Sequence, residues 1–349
     1  METKIIHITK ENIEATAKEA ADVWAQGGLV AFPTETVYGL GGNGLNKEAS
    51  KKIYAAKGRP SDNPLILHIA DMEQFYPLIK TDNAKIIARA EALADVFWPG
   101  PLTMILPKAD NIPYETTGGL DTVAVRMPSD PVAAALITLS ETPIAAPSAN
   151  LSGKPSPTSA RHVIDDLDGR IDAIISGEEC QVGIESTVVD MTGSVPVVLR
   201  PGIITQEQLS AALGKAVEID PALKIKPERS EGGGLLETSE SFKPKSPGMK
   251  YKHYAPKAEM IIYKGDREKA SIAMAEEKLR RTEHGQKVEI IMYDDSEPEK
   301  AAREFFAKLR ACDKAGVDVI LAAALKEDGV GFAVMNRMFK SAGYNIVEV

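Results

Sequence analysis

Apolar positions in the first half of the chain come in short runs, separated by polar loops and by stretches of helical periodicity. Lys4–Ile8 has the pattern of a short strand. In Asn12–Gln26 the apolar side chains recur at helical spacing, and a Gly-Gly pair ends the predicted helix. Further apolar runs predict strands at Leu29–Phe32 and then in the sequences LILHIA, TMILP, TVAVR, PIAA, DAIIS, STVVD and VPVVLR.

The connections between these predicted strands are of two kinds. Some are short turns, and others are helices such as Lys47–Ala56 and Pro131–Ser140. Short turns join antiparallel neighbours, whereas crossover helices join parallel ones. The sequence therefore predicts an α/β fold built on a large, twisted, mixed sheet that is flanked by helices.

This pattern fails from about Leu223 to Pro256, where Gly, Ser, Pro and charged residues dominate. Three apolar runs follow, EMIIY, VEIIMY and VDVILAA, separated by the predicted helices Asp266–Arg281 and Glu297–Ala315. They predict a small, Rossmann-like parallel α/β domain at the C-terminal end. The closing sequence GVGFAVMNR is compatible with a turn and a helix that docks on the large domain. The predicted division is a catalytic domain over 1–206, a linker over 207–256 and the small domain over 257–349.

Charge and composition narrow the functional class. The 349 residues carry a formal net charge of −9, which argues against a protein that coats nucleic acid non-specifically. The two cysteines form no CxxC pattern, as expected for reduced, buried thiols. The sequence shows neither an apolar signal core nor an apolar run of the ~20 residues that a membrane span needs. We therefore expect a cytoplasmic protein with no membrane contact.

Several common catalytic motifs are either missing from the sequence or lack the neighbouring elements that they require. GLGGNG (39–44) fits the dinucleotide-binding spacing, but PTETVY separates it from the preceding strand, and Asp62 lies in a loop rather than at a strand end. A phosphate-binding GxxxxGK[ST] loop and a GxSxG nucleophile turn are both missing from the sequence. The five histidines are scattered without HExxH or Cys/His pairing, so no protein-held metal site is predicted.

Polar loops that follow successive apolar strands are the strongest functional signal. In open α/β sheets ligands bind at the carboxyl ends of strands, so Lys57, Arg59, Arg126 and Arg200 could converge there as a cationic cleft for phosphate or carboxylate. Each cation alone would more simply be a solvated surface charge. The loops are PTETVYGL, KGRPSDNP, RMP, APSANLSGKPSPTS, GIESTVVD and LRPG.

One further stretch, SPGMKYKHYAPK (246–257), gathers lysine, tyrosine and histidine without any acid. Interleaved basic and aromatic residues are typical of RNA-binding segments, but they also suit a nucleotide site. Its prolines stiffen the stretch, so a lid that folds back over a cleft is the alternative to a solvated linker.

The motifs PTETVYGLGGN, KGRPSDNPLILHI, WPGPLT, TVAVRMP, PIAAPSANLSGKPSPT, GIESTVVD and LRPG, in this order, resemble the threonylcarbamoyl-AMP synthase family with the YrdC-like fold. PGMKYKHYAP and GVGFAVMNR resemble its longer, two-domain branch. The resemblance covers residues 1 to about 206 and 247–256, and more loosely 258–349. It implies an enzyme that makes threonylcarbamoyl-AMP and pyrophosphate from L-threonine, bicarbonate or CO2, and ATP with Mg2+.

The resemblance also implies roles for individual residues. The signature tetrad, which would act in catalysis, comprises Lys57, Arg59, Ser148 and Asn150. The implied threonine pocket comprises Thr36, His68, Arg126, the Ala146 backbone and Ser186. The implied ATP side comprises Arg59, Asn63, Thr122, Ser148, Ser156, Arg200 and Tyr251, the last from a lid over 246–256. Read from the residues alone, Thr36, Thr122 and Ser186 could instead satisfy backbone groups, and His68 could be a core histidine.

The resemblance further implies that the product passes to the tRNA threonylcarbamoyl-transferase machinery. A tRNA contact is compatible with that role but not required by it. Two alternatives remain at this point. One is a non-catalytic RNA-binding or ribosome-assembly factor, which would depend on the basic, aromatic stretch. The other is a carbamoyltransferase relative, which would carry additional modules that this sequence lacks.

Overall fold

The computed structural model describes residues 2–9, 11–223 and 254–349. Within these ranges the strands form one sheet of eleven strands and a second sheet of four. The strands of the large sheet are β1 Lys4–His7, β2 Val30–Phe32, β3 Gly39–Asn43, β4 Ile66–His68, β5 Leu102–Pro107, β6 Thr122–Arg126, β7 Ile144–Ala145, β8 Ala173–Ser176, β9 Thr187–Asp190, β10 Val197–Arg200 and β11 Glu218–Ile219. The helices packed on it are α1 Ile13–Ala25, α2 Lys47–Lys57, α3 Met72–Phe75, α4 Ala84–Phe97, α5 Tyr114–Thr117, α6 Pro131–Ser140, α7 Ala160–Leu167 and α8 Gln206–Leu213.

The large sheet mixes parallel and antiparallel neighbours, in the order β1-β8-β2-β3-β7-β4-β6-β5-β9-β10-β11. Strand β4 runs parallel to β6 but antiparallel to β7, and β9 runs parallel to β5 but antiparallel to β10. Apolar clusters cover both faces, under α4 on one side and under α1 and α6 on the other. The predicted twisted, mixed sheet flanked by helices is therefore confirmed.

The C-terminal region forms the predicted parallel α/β unit. Its elements are β12 Glu259–Lys264, α9 Arg267–Glu283, β13 Val288–Ile291, α10 Pro298–Ala315, β14 Val319–Ala323, α11 Gly329–Ser341 and β15 Ile346–Glu348. All neighbours are parallel, in the order β13-β14-β12-β15. The sequence analysis predicted three of these strands and missed β15, which is short and half exposed.

Regular structure continues past residue 206, where the sequence analysis placed the end of the large domain. Helix α8 begins at Gln206, and β11 pairs in parallel with β10. Most of the predicted linker and lid, 224–253, lies outside the described residues. The domain boundaries themselves stay a prediction.

The glycine-rich sequence 39–44 consists of strand β3 (Gly39–Asn43), which lies between β2 and β7, and the turn residue Gly44 that follows it. A Cβ on Gly41 would lie 2.8 Å from side-chain carbons of Phe32 and Ile144, and one on Gly44 would lie 2.3 Å from Leu67. These glycines therefore allow close packing inside the sheet, and the structure agrees with the rejection of a dinucleotide-binding loop.

The two domains share a buried interface. Val37 and Ile184 of the large domain belong to the same apolar cluster as Phe305, Phe306 and Met335 of the small domain. Both cysteines are free and buried, as predicted. None of the described helices combines the length and the apolar character that a membrane crossing needs.

Candidate active site

A cleft lies over one face of the large sheet. Ile66 and His68 are two residues apart on β4 and both line it, and residues at that spacing point to the same face of a strand. The sequence analysis expected the ligand at the carboxyl ends of strands, a rule for open parallel sheets. Here β7 runs opposite to β4 and β6, so the Ser148 loop reaches the cleft from the other end. The mixed strand order therefore places the cleft across the sheet rather than at one edge.

Ten of the fourteen predicted site residues line this cleft: Lys57, Arg59, His68, Arg126, Ala146, Ser148, Asn150, Ser156, Ser186 and Arg200. Thr36 is buried beside it, with its hydroxyl 2.9 Å from that of Thr34, and Asn63 is buried in the loop after Arg59. Thr122 lies on the same face of β6 as Arg126 but four residues earlier, about 13 Å along the strand, and does not line the cleft. Tyr251 lies outside the described residues.

Three residues of the signature tetrad, Lys57, Ser148 and Asn150, form a hydrogen-bonded group at the end of α2. Lys57 Nζ donates to the carbonyl oxygens of Ser148 and Asn150, each at 2.5 Å. Ser148 Oγ donates to Asn150 Oδ1 at 2.5 Å, and Asn150 Nδ2 donates to the carbonyl oxygen of Lys154 at 3.0 Å. Burial holds the pKa of Lys57 well below its usual range, and the charge of Arg59 lowers it further. Lys57 thus fixes the shape of the 148–154 loop.

Two arginines face the cleft from different elements. Arg59 follows α2 and donates from Nε to the carbonyl oxygen of Asn63 at 3.2 Å. Arg200 ends β10 and donates to the carbonyl oxygen of Ser186 at 3.0 Å and to its hydroxyl at 3.1 Å. Burial lowers the pKa of each guanidinium to about 10, so both stay charged at neutral pH. With these contacts both arginines are oriented before any ligand binds.

The end of the cleft away from the Lys57 loop lies where strands β4 and β6 end side by side. His68 and Arg126 are in register across these two strands. Arg126 Nη2 lies 2.7 Å from Glu35 Oε1, and both side chains are buried. Burial lowers the pKa of His68 to about 3, with help from the charge of Arg126, so the ring is neutral at physiological pH.

Hydrogen bonds at this end hold the predicted threonine pocket in place. His68 Nδ1 lies 3.1 Å from the carbonyl oxygen of Ile66, and the Ala146 backbone N–H donates to the same oxygen at 2.9 Å. The hydroxyls of Ser186 and Thr103 lie 2.8 Å apart. His68 is thus both a satisfied buried histidine and part of the cleft wall, so the two interpretations of the sequence are compatible.

Three residues of this site lie inside the sequence motifs but were not predicted: Glu185 and Tyr254 line the cleft, and Glu35 is buried beside Arg126. Glu35 belongs to PTETVYGL and Glu185 to GIESTVVD, but an acid was not expected in a cationic cleft. Tyr254, from the basic and aromatic stretch, also lines the cleft. Its ring packs 5.1 Å from that of Phe306 in the small domain. The end of that stretch therefore does reach the site.

The positive charge of the cleft contrasts with the negative net charge of the chain. Arg59, Arg126, Arg200 and Lys154 line it, together with Lys57. The described residues hold no cluster of three or more His, Cys, Asp or Glu side chains that could bind a metal ion. The arrangement suits an anionic ligand with more than one charged group.

Two family models match the chain. The one described as Telomere recombination matches residues 22–202, and the one described as Threonylcarbamoyl-AMP synthase, C-terminal domain, matches residues 204–343. Threonylcarbamoyl-AMP synthase of Pyrococcus abyssi is 49% identical over 357 residues, covering 99% of this chain and 100% of the relative. That of Bacillus subtilis is 44% identical, covering 94% of this chain and 93% of the relative.

A solved structure agrees with these matches. The crystal structure of P. abyssi Sua5 complexed with L-threonine has a TM-score of 0.88 and 47% sequence identity, and the match covers 100% of both chains. The sequence motifs, the fold of both domains and these full-length relatives together show that the chain belongs to the threonylcarbamoyl-AMP synthase family.

Proposed function

We propose that this chain makes threonylcarbamoyl-AMP and pyrophosphate from L-threonine, bicarbonate or CO2, and ATP. The observation that carries the proposal is the cleft itself, in which Arg126 and neutral His68 lie at one end and Arg59, Arg200 and the Lys57 loop face the rest. A relative with 47% identity has been crystallised with L-threonine. The matches do not favour the non-catalytic RNA-binding alternative.

The proposed reaction joins a carbamate to a nucleotide. An oxygen of the threonine carbamate attacks the α-phosphorus of ATP, a new P–O bond forms, and the bond from the α-phosphorus to the bridging oxygen breaks. Pyrophosphate leaves with that electron pair. Because the attacking oxygen is already anionic, this step needs no strong general base, which agrees with His68, whose pKa of about 3 makes it a weak base. The protein contributes mainly by holding the reactants in line and stabilising phosphate charge.

Each end of the cleft has its own task in this proposal. Arg126 pairs with the threonine carboxylate, and His68, Thr36, Ser186 and the Ala146 backbone shape the pocket around the amino acid. Arg59, Arg200 and Ser156 bind the nucleotide, while Lys57, Ser148 and Asn150 fix the loop that faces it. Asn63, Thr122 and Tyr251 stay predicted ATP contacts.

Mg2+ would arrive with the nucleotide rather than reside in the protein. Magnesium in nucleotide sites is typically held by substrate phosphates, water and one or two carboxylates. The described residues fit this, because they offer no dedicated cluster, and the carboxylate of Glu185 at the cleft wall is already hydrogen-bonded. The ion would supply additional stabilisation of phosphate charge.

We further propose that the labile product passes to the tRNA threonylcarbamoyl-transferase machinery in the cytoplasm. This assignment follows from the product, whose only use in the proposal is tRNA modification. A direct tRNA contact by this chain is not required.

The proposal is tested by incubating the full chain with ATP, Mg2+, bicarbonate and labelled threonine. Pyrophosphate should be released only when threonine is present. Arg59→Ala and Lys57→Ala should each reduce the rate at least about 100-fold, since each removes a charge-assisted contact or the loop anchor. Lys80→Ala is the matched control, because Lys80 pairs with Asp110 on the exposed surface.

Two outcomes would contradict the proposal. One is pyrophosphate release at the same rate without threonine. The other is full activity of both the Arg59 and the Lys57 variants. Micromolar, strongly salt-dependent tRNA binding without any adenylate formation would instead favour the RNA-binding alternative.

A further inference from the structure

One arginine of the small domain is completely buried where this domain contacts the large domain. Arg337, on α11, has no exposed surface. Its Nε donates to Glu185 Oε2 at 3.1 Å, its Nη1 donates to the carbonyl oxygen of Pro201, and its Nη2 donates to the carbonyl oxygen of Glu185 at 3.4 Å. Burying an unpaired guanidinium would be strongly unfavourable. The contacts of Arg337 are therefore an essential part of how the domains fit together.

The loop that receives Arg337 is pressed against the small domain. Gly183 and Glu185 belong to the GIEST motif. A Cβ on Gly183 would lie 2.4 Å from backbone atoms of Arg303 on α10, so only glycine fits there, and its φ of +80° also favours glycine. Ile184 packs in the apolar cluster of the small domain. The backbone from Gly183 to Glu185 is thus positioned by helices α10 and α11 of the small domain.

Glu185 connects Arg337 to the cleft. Its second oxygen, Oε1, accepts a hydrogen bond from Ser156 Oγ at 2.5 Å. Both Glu185 and Ser156 line the cleft. The neighbour of Glu185 in sequence, Ser186, accepts both hydrogen bonds of Arg200. Pro201, whose carbonyl oxygen Arg337 contacts, directly follows Arg200. A single guanidinium from the small domain therefore contacts Glu185 and the residue after Arg200 directly, and it reaches Ser156 through Glu185.

The charges of Glu185, Arg200 and Arg337 indicate what the contact between the two domains does for the cleft. Glu185 and Arg200 lie close enough to influence each other electrostatically. Without Arg337, the buried carboxylate of Glu185 would pair with Arg200 instead. The guanidinium charge of Arg200 would then be compensated and would bind a phosphate group less strongly. Arg337 contacts Glu185 and neutralises its charge. Arg337 does not itself line the cleft, so it can do so without occupying space that a ligand needs.

We propose that Arg337 is a positioning residue for ATP, supplied by the C-terminal domain, which neutralises Glu185 and so keeps Arg200 available to the nucleotide and holds Ser156 in place through Glu185. This inference rests on the proposed function of the cleft. It predicts that ATP binding, and not threonine binding, depends on α11.

The test is a comparison of Arg337→Gln and Arg337→Lys in the full chain, with ATP and threonine affinities measured separately by titration calorimetry. Gln keeps a hydrogen-bond donor but loses the charge, so ATP should bind at least about tenfold more weakly while threonine affinity changes less than about threefold. Lys keeps the charge, so its ATP affinity should stay within about threefold of wild type. The double variant Arg337→Gln with Glu185→Gln should recover most of the loss, because a neutral amide does not compete for Arg200.

Arg303→Met is the interface control. Arg303 donates to the carbonyl oxygen of Gln181 across the same domain interface at 2.8 Å, and its side chain is exposed. Its removal should leave ATP affinity within about twofold. Thermal unfolding of each variant reports whether the fold survives. If Arg337→Gln alone does not fold, the double variant is tested instead, because it removes both charges of the pair. It should then bind ATP within about threefold of wild type.

The inference is overturned if Arg337→Gln binds ATP like wild type, if threonine affinity falls equally, or if the folded double variant shows no recovery. Failure of the proposed function looks different, because wild type itself would then fail to bind ATP or to release pyrophosphate with threonine.

Discussion

The two ends of the cleft hold their arginines in different ways. At the proposed threonine end, Arg126 is paired directly with Glu35, and both residues belong to the large domain. At the proposed nucleotide end, Arg200 is oriented by Ser186, and the nearby carboxylate of Glu185 is paired with Arg337 from the small domain. The charge of Arg126 is thus already balanced by Glu35. The charge of Arg200 is left uncompensated, because Glu185 is paired with Arg337.

This difference matches the charges of the proposed ligands. Threonine brings one carboxylate together with an amine, so a pocket that already contains an arginine and a carboxylate is nearly balanced for it. The triphosphate brings several negative charges and needs positive charge that is not already compensated. The comparison therefore predicts that threonine binding depends on the large domain alone, whereas ATP binding depends on both domains.

The largest expected effect is at the threonine end. Arg126→Gln should weaken threonine binding about 100-fold, because truncating one member of a buried charge pair typically costs about 3 kcal/mol. ATP affinity, measured without threonine, should change less than about threefold. Separate titrations with the two ligands check this. Equal losses for both ligands would remove the distinction between the two ends.

A second variant separates binding from stability at the same place. Arg126→Gln leaves Glu35 buried and unpaired, so the free energy of unfolding should fall by roughly 3 kcal/mol. Adding Glu35→Gln should restore much of that stability without restoring threonine affinity. Recovery of threonine binding in the double variant would show that Arg126 acts on the fold rather than on the ligand.

The next effect is an acid sensitivity centred on His68. Its pKa is about 3 in the folded protein against a usual value of 6.5. Between these values the unfolded chain binds a proton that folded His68 does not, so stability is lost as pH falls below 6.5. From pH 7 to pH 5 the loss from this ring is about 2 kcal/mol.

Urea unfolding at the two pH values measures this loss. His162, whose pKa burial lowers to about 4, adds a contribution in the same direction. His68→Gln should therefore reduce the pH dependence by about 2 kcal/mol without abolishing it. Identical losses in wild type and variant would mean that His68 is accessible to protons, and that this end of the cleft is less enclosed than the structure indicates.

The sequence predicted which residues line the cleft better than it predicted the ion pairs and hydrogen bonds between them. The strand and helix pattern was sufficient for the mixed sheet, and the loop motifs contained most of the residues that line the cleft. Glu35 and Glu185 were overlooked because a carboxylate beside arginines is meaningful only once its partner is known. Arg337 lies about 150 residues from Glu185, and helical periodicity predicts a buried face but not the surface on which it docks. The short strands β11 and β15 left too few residues for a pattern.

The smallest expected effect concerns another arginine that crosses the domain interface. Arg310, on α10, lies 2.8 Å from Asp166, and Asp166 also pairs with Lys154 at 2.8 Å. Arg310→Met therefore leaves the carboxylate with Lys154 and the Leu151 backbone N–H as partners, and the free energy of unfolding should fall by only about 1–2 kcal/mol. Asp166 does not line the cleft, and Lys154, which does, is already paired with it in the wild type, so ATP affinity should stay within about threefold of wild type. Thermal or urea unfolding together with ATP titration checks both values. If Arg310→Met weakened ATP binding as strongly as Arg337→Gln, the nucleotide end would depend on domain contact in general, and the specific role of the Arg337–Glu185 pair would have to be abandoned.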